Sequence, residues 1–332
     1  MTRSWIGRRA VVAATFLLAL SPLAPAAAAP PVVEAAGAAL RPAGAEVVAV
    51  TKVAERLTDL SVRSPALGGR VVKVRLLTPD GWNPADRRQH WPSFWLLAGC
   101  CGDYTAWSGT DIAKIESLRK VLVVMPEAGW NGWYSNWWNH GAGGDPAWET
   151  FHTVELRRLL EKDWGASSNR VVAGLSMGGQ GALLYAARHP GMFRAAAAYS
   201  ASAHPLLNTE SINRIMGFFG GQGGDPRRVW GDPVAQRNIW AAHDPYYLAH
   251  HLKSLPLYLS SGDGTAGPFD QPDALEADFN RQNKALAAAL TQAGAKRLTT
   301  NFYGPGTHAW PYWQRELHSS LPILLTALNV RP

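Results

Sequence analysis

The chain has 332 residues, 47% of them hydrophobic and 17% charged, which excludes a disordered or low-complexity protein. Its formal charge of +7 is too mild to argue for nucleic acid, and much of it sits in one terminal segment. Its two cysteines, Cys100 and Cys101, are neighbours, so no long-range disulfide framework holds the fold.

Residues 1–29 carry Arg3, Arg8 and Arg9 without an acid, then an apolar run from Ala10 to Leu20, then an Ala-rich end before Pro30. Those are the three regions of a secretory signal peptide cut near Ala28 or Ala29. Its loss takes the charge from +7 to about +4. The apolar run is shorter than the roughly 20 residues of a membrane-spanning helix, so the mature chain is expected to have no transmembrane segment. Arg8-Arg9 also fits a twin-arginine export signal. Adjacent Cα atoms lie about 3.8 Å apart, whereas relaxed disulfides want roughly 4.4–6.8 Å. A Cys100–Cys101 bond is therefore strained, and the pair reads either as inert and locally buried or as redox-sensitive.

Residues 30–50 read as a partly ordered lead-in, and 51–332 as one catalytic domain without repeats. Val71–Leu77 alternates like a half-exposed strand. Ser93–Leu97 and Val121–Met125 are continuous apolar runs, as buried parallel strands should be. Trp148–Glu161 reads as a helix, Arg170–Gly174 as a strand, and Met177–Arg188 as a helix stopped by His189-Pro190-Gly191. Ala195–Tyr199, Leu257–Ser261 and Leu298–Phe302 read as strands. The glycine-rich stretch Gly217–Asp232 reads as an irregular insertion. Asp273–Ala293, followed by Gly294, is a long helix, and Pro311–Leu328 closes the chain. Strands alternating with helices predict an α/β protein with a mostly parallel sheet covered on both faces.

The sharpest motif is Gly174-Leu175-Ser176-Met177-Gly178. G-x-S-x-G alone is weak, but here it follows an apolar strand and opens a helix, the setting in which a tight turn exposes a nucleophilic serine. A serine hydroxyl needs a base. His308, in the loop after the last strand, supplies the order serine, acid, histidine of an α/β-hydrolase. His189, His250 and His251 read as helix-end residues, and His204 as a surface-loop or pocket residue. The acid stays open at this point. Asp263 directly follows a strand and is favoured by spacing, while Asp273, Glu276 and Asp278 lie on the next helix.

Several segments then point to a family. Ser64-Pro65-Ala66-Leu67-Gly68, Leu96-Leu97-x-Gly99, Trp133-Tyr134-Ser135-x-Trp137, Trp148-Glu149-Thr150-Phe151, Gly174-Leu175-Ser176-Met177 and Gly306-Thr307-His308-x-Trp310 occur in order. With them the chain resembles the bacterial secreted mycolyltransferases and, more broadly, the esterase-D-like serine esterases of the α/β-hydrolase fold. The resemblance implies a Ser176–Glu276–His308 triad, because Leu275-Glu276 with Asn283 looks like that family's helix segment. It implies an oxyanion hole made by the backbone amides of Cys100 and Met177. Ala98 and Cys101 stand where the family carries Asp and Arg, and that family's small disulfide is absent from 139–147. Trehalose and mycolate handling are thereby in doubt.

Trp130, Trp133, Tyr134, Trp137 and Trp138 crowd one segment, and Trp310, Tyr312 and Trp313 follow His308. Most such aromatics serve the core, but Trp137 and Trp310 are the candidates for contact with substrate. The spacing supports no metal site, phosphate loop or dinucleotide fingerprint, and no cofactor is expected. The leading expectation is a secreted, extracellular or cell-wall-associated, serine esterase or acyltransferase acting on lipid, glycan or small-molecule esters. Trehalose mycolyl transfer, a non-catalytic cell-wall or adhesin protein on the same fold, and a serine peptidase are the alternatives.

Overall fold

The computed structural model of the chain describes residues 44–86 and 88–331. The expected signal peptide 1–29 and the expected lead-in up to residue 43 lie outside the described residues. The described strands are β1 (Glu46–Lys52), β2 (Leu57–Ser64), β3 (Arg70–Leu77), β4 (Trp91–Leu97), β5 (Leu122–Pro126), β6 (Ala166–Leu175), β7 (Ala196–Tyr199), β8 (Leu257–Ser261) and β9 (Leu298–Phe302). They form one sheet in the order β1-β2-β3-β5-β4-β6-β7-β8-β9. Pairing is antiparallel from β1 through β3 to β5 and parallel from β5 to β9.

The parallel half follows from residue type. Side chains on a strand alternate between faces, so a strand covered on both faces must be apolar at every position. In β4, Trp95 and Leu97 enter one core and Phe94 and Leu96 enter the other. The helices that supply the covers are α1 (Trp148–Thr150), α2 (Arg157–Asp163), α3 (Met177–Arg188), α4 (Thr209–Phe219), α5 (Arg227–Trp230), α6 (Arg237–Ala242), α7 (Ala249–Leu252), α8 (Ala274–Gln292) and α9 (Trp310–Ala327). Residues of α3 and α8 pack into the first core, and Trp313, Leu317, Leu321, Leu324 and Leu325 of α9 fill the second.

Three expectations are corrected. The helix expected over Trp148–Glu161 is interrupted by a π-helical segment, Phe151–Leu156, between α1 and α2. Within that segment buried Glu155 accepts hydrogen bonds from the Ser64 hydroxyl and, at 2.9 Å, from the Ala66 amide. The Ser64-Pro65-Ala66 segment is thus a structural clasp. The stretch 217–232 is more ordered than its glycines suggest, because α4 runs through Phe219 and α5 covers Arg227–Trp230. Large aromatics override the glycines' conformational freedom: Trp133 meets Phe219 at 5.2 Å and Trp230 at 5.9 Å, and Trp230 meets Trp240 at 5.3 Å. Last, β1 begins at Glu46, inside the expected lead-in. Its backbone pairing with β2, rather than side-chain burial, defines it, and Val48 and Val50 remain exposed.

Candidate active site

Four neighbouring parallel strands, β6 to β9, end at one edge, where α/β folds place their sites. The turn after β6 carries Ser176 with φ 54° and ψ −123°, a conformation a non-glycine residue rarely holds. Two glycines make that turn possible. A Cβ at position 174 would stand 2.3 Å from the Gly178 carbonyl oxygen, and one at 178 would stand 2.5 Å from the carbonyl oxygens of Leu97 and Ala98. The strand end and the start of α3 therefore meet backbone to backbone. The Ser176 amide bonds to the Tyr199 carbonyl at 2.9 Å, which ties the elbow to β7. Its hydroxyl makes no hydrogen bond among the described residues, as is common before substrate binds.

Ser200 follows Tyr199, also at positive φ (47°), and its hydroxyl donates to Glu276 Oε1 at 2.8 Å. The Gly262 amide, after β8, donates to the same oxygen at 2.7 Å. Glu276 Oε2 accepts the Nδ1–H of His308 at 2.8 Å. Since a carboxylate can only accept, Nδ1 carries the proton and Nε2 is left with its lone pair whenever the ring is neutral. The carboxylate is buried and the His308 ring nearly so. Phe279 and Trp313 hold the ring at centroid distances of 5.3 and 4.8 Å, and Trp313 Nε1 donates to the Ser200 hydroxyl at 3.0 Å. Asp273 caps α8 through the Leu275 amide and receives the His308 amide at 3.0 Å on its other oxygen. Close packing of the two loops fixes the rest: a Cβ at Gly262 would lie 2.3 Å from the Gly306 carbonyl oxygen.

The structure thus brings His308 to Glu276 and not to Asp263. Asp263 Oδ1 is engaged by the amide and hydroxyl of Thr265, and these bonds lower its pKa from the ordinary carboxylate value. Asp278 is buried on α8, bonded to Ser211 and Gln282. Ser200 and Trp313 escaped the sequence reading as site residues. A serine just past a strand carries no local signal for a positive φ or for a partner 76 positions away.

Beside the elbow, the loop after β4 comes close: a Cβ at Gly99 would lie 3.2 Å from Ser176 Cβ. The amides of Cys100 and Met177 have no acceptor among the described residues. Cys101 is exposed, with φ 69°. Burial, then a hydrogen bond with Cys101, pushes the Cys100 thiol above its ordinary value. Of the two expected substrate aromatics, Trp310 is partly exposed and packs edge-on against Trp107 and Trp313. It lines a cavity of about 620 Å³ with Ala106, Thr110, Gln314 and His318. Trp137 is engaged within its own loop, donating to the Gly132 carbonyl at 3.2 Å beneath the Arg228 guanidinium. Trp130, half exposed, presents its carbonyl to the Cys101 amide at 3.2 Å and so stands beside the loop after β4.

A strained serine on a strand-to-helix elbow, set in a mostly parallel sheet between two helical layers, defines an α/β-hydrolase. Within that class the chain belongs to the Esterase family, whose model matches residues 64–324. It is 30% identical to the diacylglycerol acyltransferase/mycolyltransferase Ag85B of Mycobacterium avium over 81% of this chain and 83% of that protein. It is likewise 30% identical to Ag85B of Mycolicibacterium smegmatis, over 81% and 85%. In structure it resembles MPT51 of Mycobacterium tuberculosis, with TM-score 0.67 and 24% identity over 81% of this chain and 97% of that one. An S-formylglutathione hydrolase from Agrobacterium tumefaciens shares the fold at TM-score 0.59 and 17% identity, over 84% and 99%. The protein is accordingly an esterase or acyltransferase. None of the described helices is long and apolar enough to cross a membrane.

Proposed function

We propose that the chain cleaves carboxylic esters through an acyl-enzyme on Ser176, after its leader 1–29 has taken it out of the cytoplasm. The observation that carries this reading is the 2.8 Å bond from His308 Nδ1–H to Glu276, at the same strand-end edge as Ser176. It leaves Nε2 as the base. His308 takes the Ser176 proton as Oγ attacks the ester carbonyl, then returns it to the leaving alcohol. Glu276 keeps the imidazole in that tautomer and stabilises the imidazolium. The amides of Cys100 and Met177 receive the oxyanion, each worth about 3–4 kcal/mol in holes of this kind. Water or a sugar hydroxyl then takes the acyl group. The acyltransferase relatives favour the second acceptor, while Ala98 and Cys101 favour the first.

A fluorophosphonate probe tests the nucleophile. It should label the reduced, purified mature chain at Ser176, and Ser176→Ala should abolish both labelling and p-nitrophenyl ester hydrolysis. Undiminished labelling of the variant would rule Ser176 out.

A further inference from the structure

We propose that Cys100 and Cys101 form a thiol–disulfide exchange site whose closure into a disulfide withdraws the oxyanion loop from Ser176. The inference rests on the acyl-enzyme reading and adds a modification site to it. The two thiols are on adjacent residues, and they are the chain's only cysteines. Cys101 is exposed, so a soluble disulfide meets it first, whereas Cys100 is partly buried behind it. One carbonyl anchors both residues: Trp130 O accepts the Cys101 amide at 3.2 Å and the Cys100 thiol at 3.7 Å. On the other side, Gly99 packs against Leu175 and Ser176, where a Cβ would come within 2.5 Å of Leu175 Cδ1. The loop 99–101 therefore touches the Ser176 elbow at one end and Trp130 at the other.

The chemistry balances with a small-molecule disulfide as oxidant. The Cys101 thiolate attacks it, forming a mixed disulfide and releasing one thiol. Cys100 then attacks the Cys101 sulfur and releases the second thiol. Two S–H bonds break and one S–S bond forms. The two electrons and two protons leave with the co-reactant as its two thiols. Adjacent Cα atoms are about 3.8 Å apart, short of the roughly 4.4–6.8 Å of relaxed disulfides, so ring closure has to turn the backbone between the two residues. That turn takes the Cys101 amide and the Cys100 sulfur off Trp130 O. With its anchor gone, the loop no longer holds the Cys100 amide at the oxyanion position. Loss of one such donor lowers kcat by about 10²–10³-fold.

The experiment compares the mature chain reduced with dithiothreitol and the same chain equilibrated with oxidised glutathione. Intact mass, ester hydrolysis and the rate of fluorophosphonate labelling at Ser176 are read together. The oxidised chain should lose two hydrogens and slow in both rates by about 10²-fold, and dithiothreitol should restore it. Cys101→Asn, whose side chain tolerates the left-handed backbone, should label at one rate in both conditions, and Cys101→Gly is the second variant should the first not fold. Loss of two hydrogens with no change in labelling overturns the inference. So does slowing that persists in both variants, or a wild-type chain that never loses the two hydrogens. A reduced chain that fails to label at Ser176 overturns the acyl-enzyme reading itself, before any oxidant is added.

Discussion

Two histidine–carboxylate pairs stand against α8, one from the loop after β9 and one from the loop after β7. His308 donates to Glu276 at 2.8 Å, and His204 donates to Asp244 at the same distance. Each carboxylate is buried and takes backbone amides as well: Gly262 for Glu276, Leu206 and Tyr246 for Asp244. The difference lies in what surrounds the ring. His204 is stacked flat on Tyr246 at 4.0 Å, and its own amide is held by Gln282. His308 is gripped edge-on by Phe279 and Trp313, at the strand ends that carry Ser176. A buried dyad is therefore no signature of a site by itself; the rings packed around the imidazole set the two apart.

The most severe way to break this comparison is to remove each histidine. His308→Gln should cost at least about 10³-fold in kcat while the melting temperature moves little. His204→Gln should keep its activity per folded molecule but lose about 3–5 kcal/mol, because Asp244 is left buried without its partner. Paired kinetics and denaturant melts check both, and equal kinetic losses would erase the distinction.

The carboxylates sharpen it next. Glu276→Gln should lower kcat by about 10²–10⁴-fold, since the imidazole loses its orienting acceptor. Asp263→Asn breaks only an exposed turn and should leave kcat unchanged. A reversed order in steady-state kinetics would return the role to Asp263.

Acid probes the two sealed histidines. Burial pushes His152 and His243 down to about 4 from an ordinary 6.5. Their contribution to stability is complete above 6.5 and is lost as pH falls toward 4, at up to about 1.4 kcal/mol per pH unit for each. Glu149 is desolvated, yet His189 and Arg188 hold it at about 2, so its contribution fades below the ordinary 4.5. Melts from pH 7 to pH 4 should thus fall steadily, and a flat profile would contradict the sealed pair.

The smallest expected effect concerns the acceptor. Ala98 is buried with its carbonyl engaged by the Tyr134 hydroxyl, and Cys101 offers a thiol where the resembling family has Arg. A sugar hydroxyl left unpaired costs about 1–3 kcal/mol, so hydrolysis should exceed trehalose acylation by roughly 5- to 150-fold. Product analysis with an acyl donor and excess trehalose measures that ratio, and acyl-trehalose in excess would reverse it.

What could be read from the sequence was local. Ser176 and the parallel strands declare themselves within a few residues, through an apolar run, a glycine pair and a helix. Glu276 did not. Spacing pointed to Asp263, and only resemblance pointed one helical turn into α8, because the turn at Thr265 that captures Asp263 is invisible to periodicity. Ser200 and Trp313 act through contacts 76 and 113 positions away, beyond any window of sequence. The helices α4 and α5 were hidden for a related reason: aromatic packing, not propensity, holds the glycine-rich connection between them.

That aromatic packing gives the segment between β7 and β8 a keel of its own. Trp133 reaches up from the frame into Phe219 and Trp230, and the Ser211–Asp278 bond at 2.9 Å lashes α4 to α8. Further ties bind the block to its frame: Gln180 Nε2 donates to the His243 carbonyl at 2.8 Å, the Trp138 amide to the Val229 carbonyl at 2.9 Å, and Trp230 Nε1 to the Ser135 hydroxyl at 3.1 Å. A graft from a related chain therefore has to bring Ser200 for Glu276, and partners for Trp133, Gln180 and Asp278, before the strand ends beneath it are whole again.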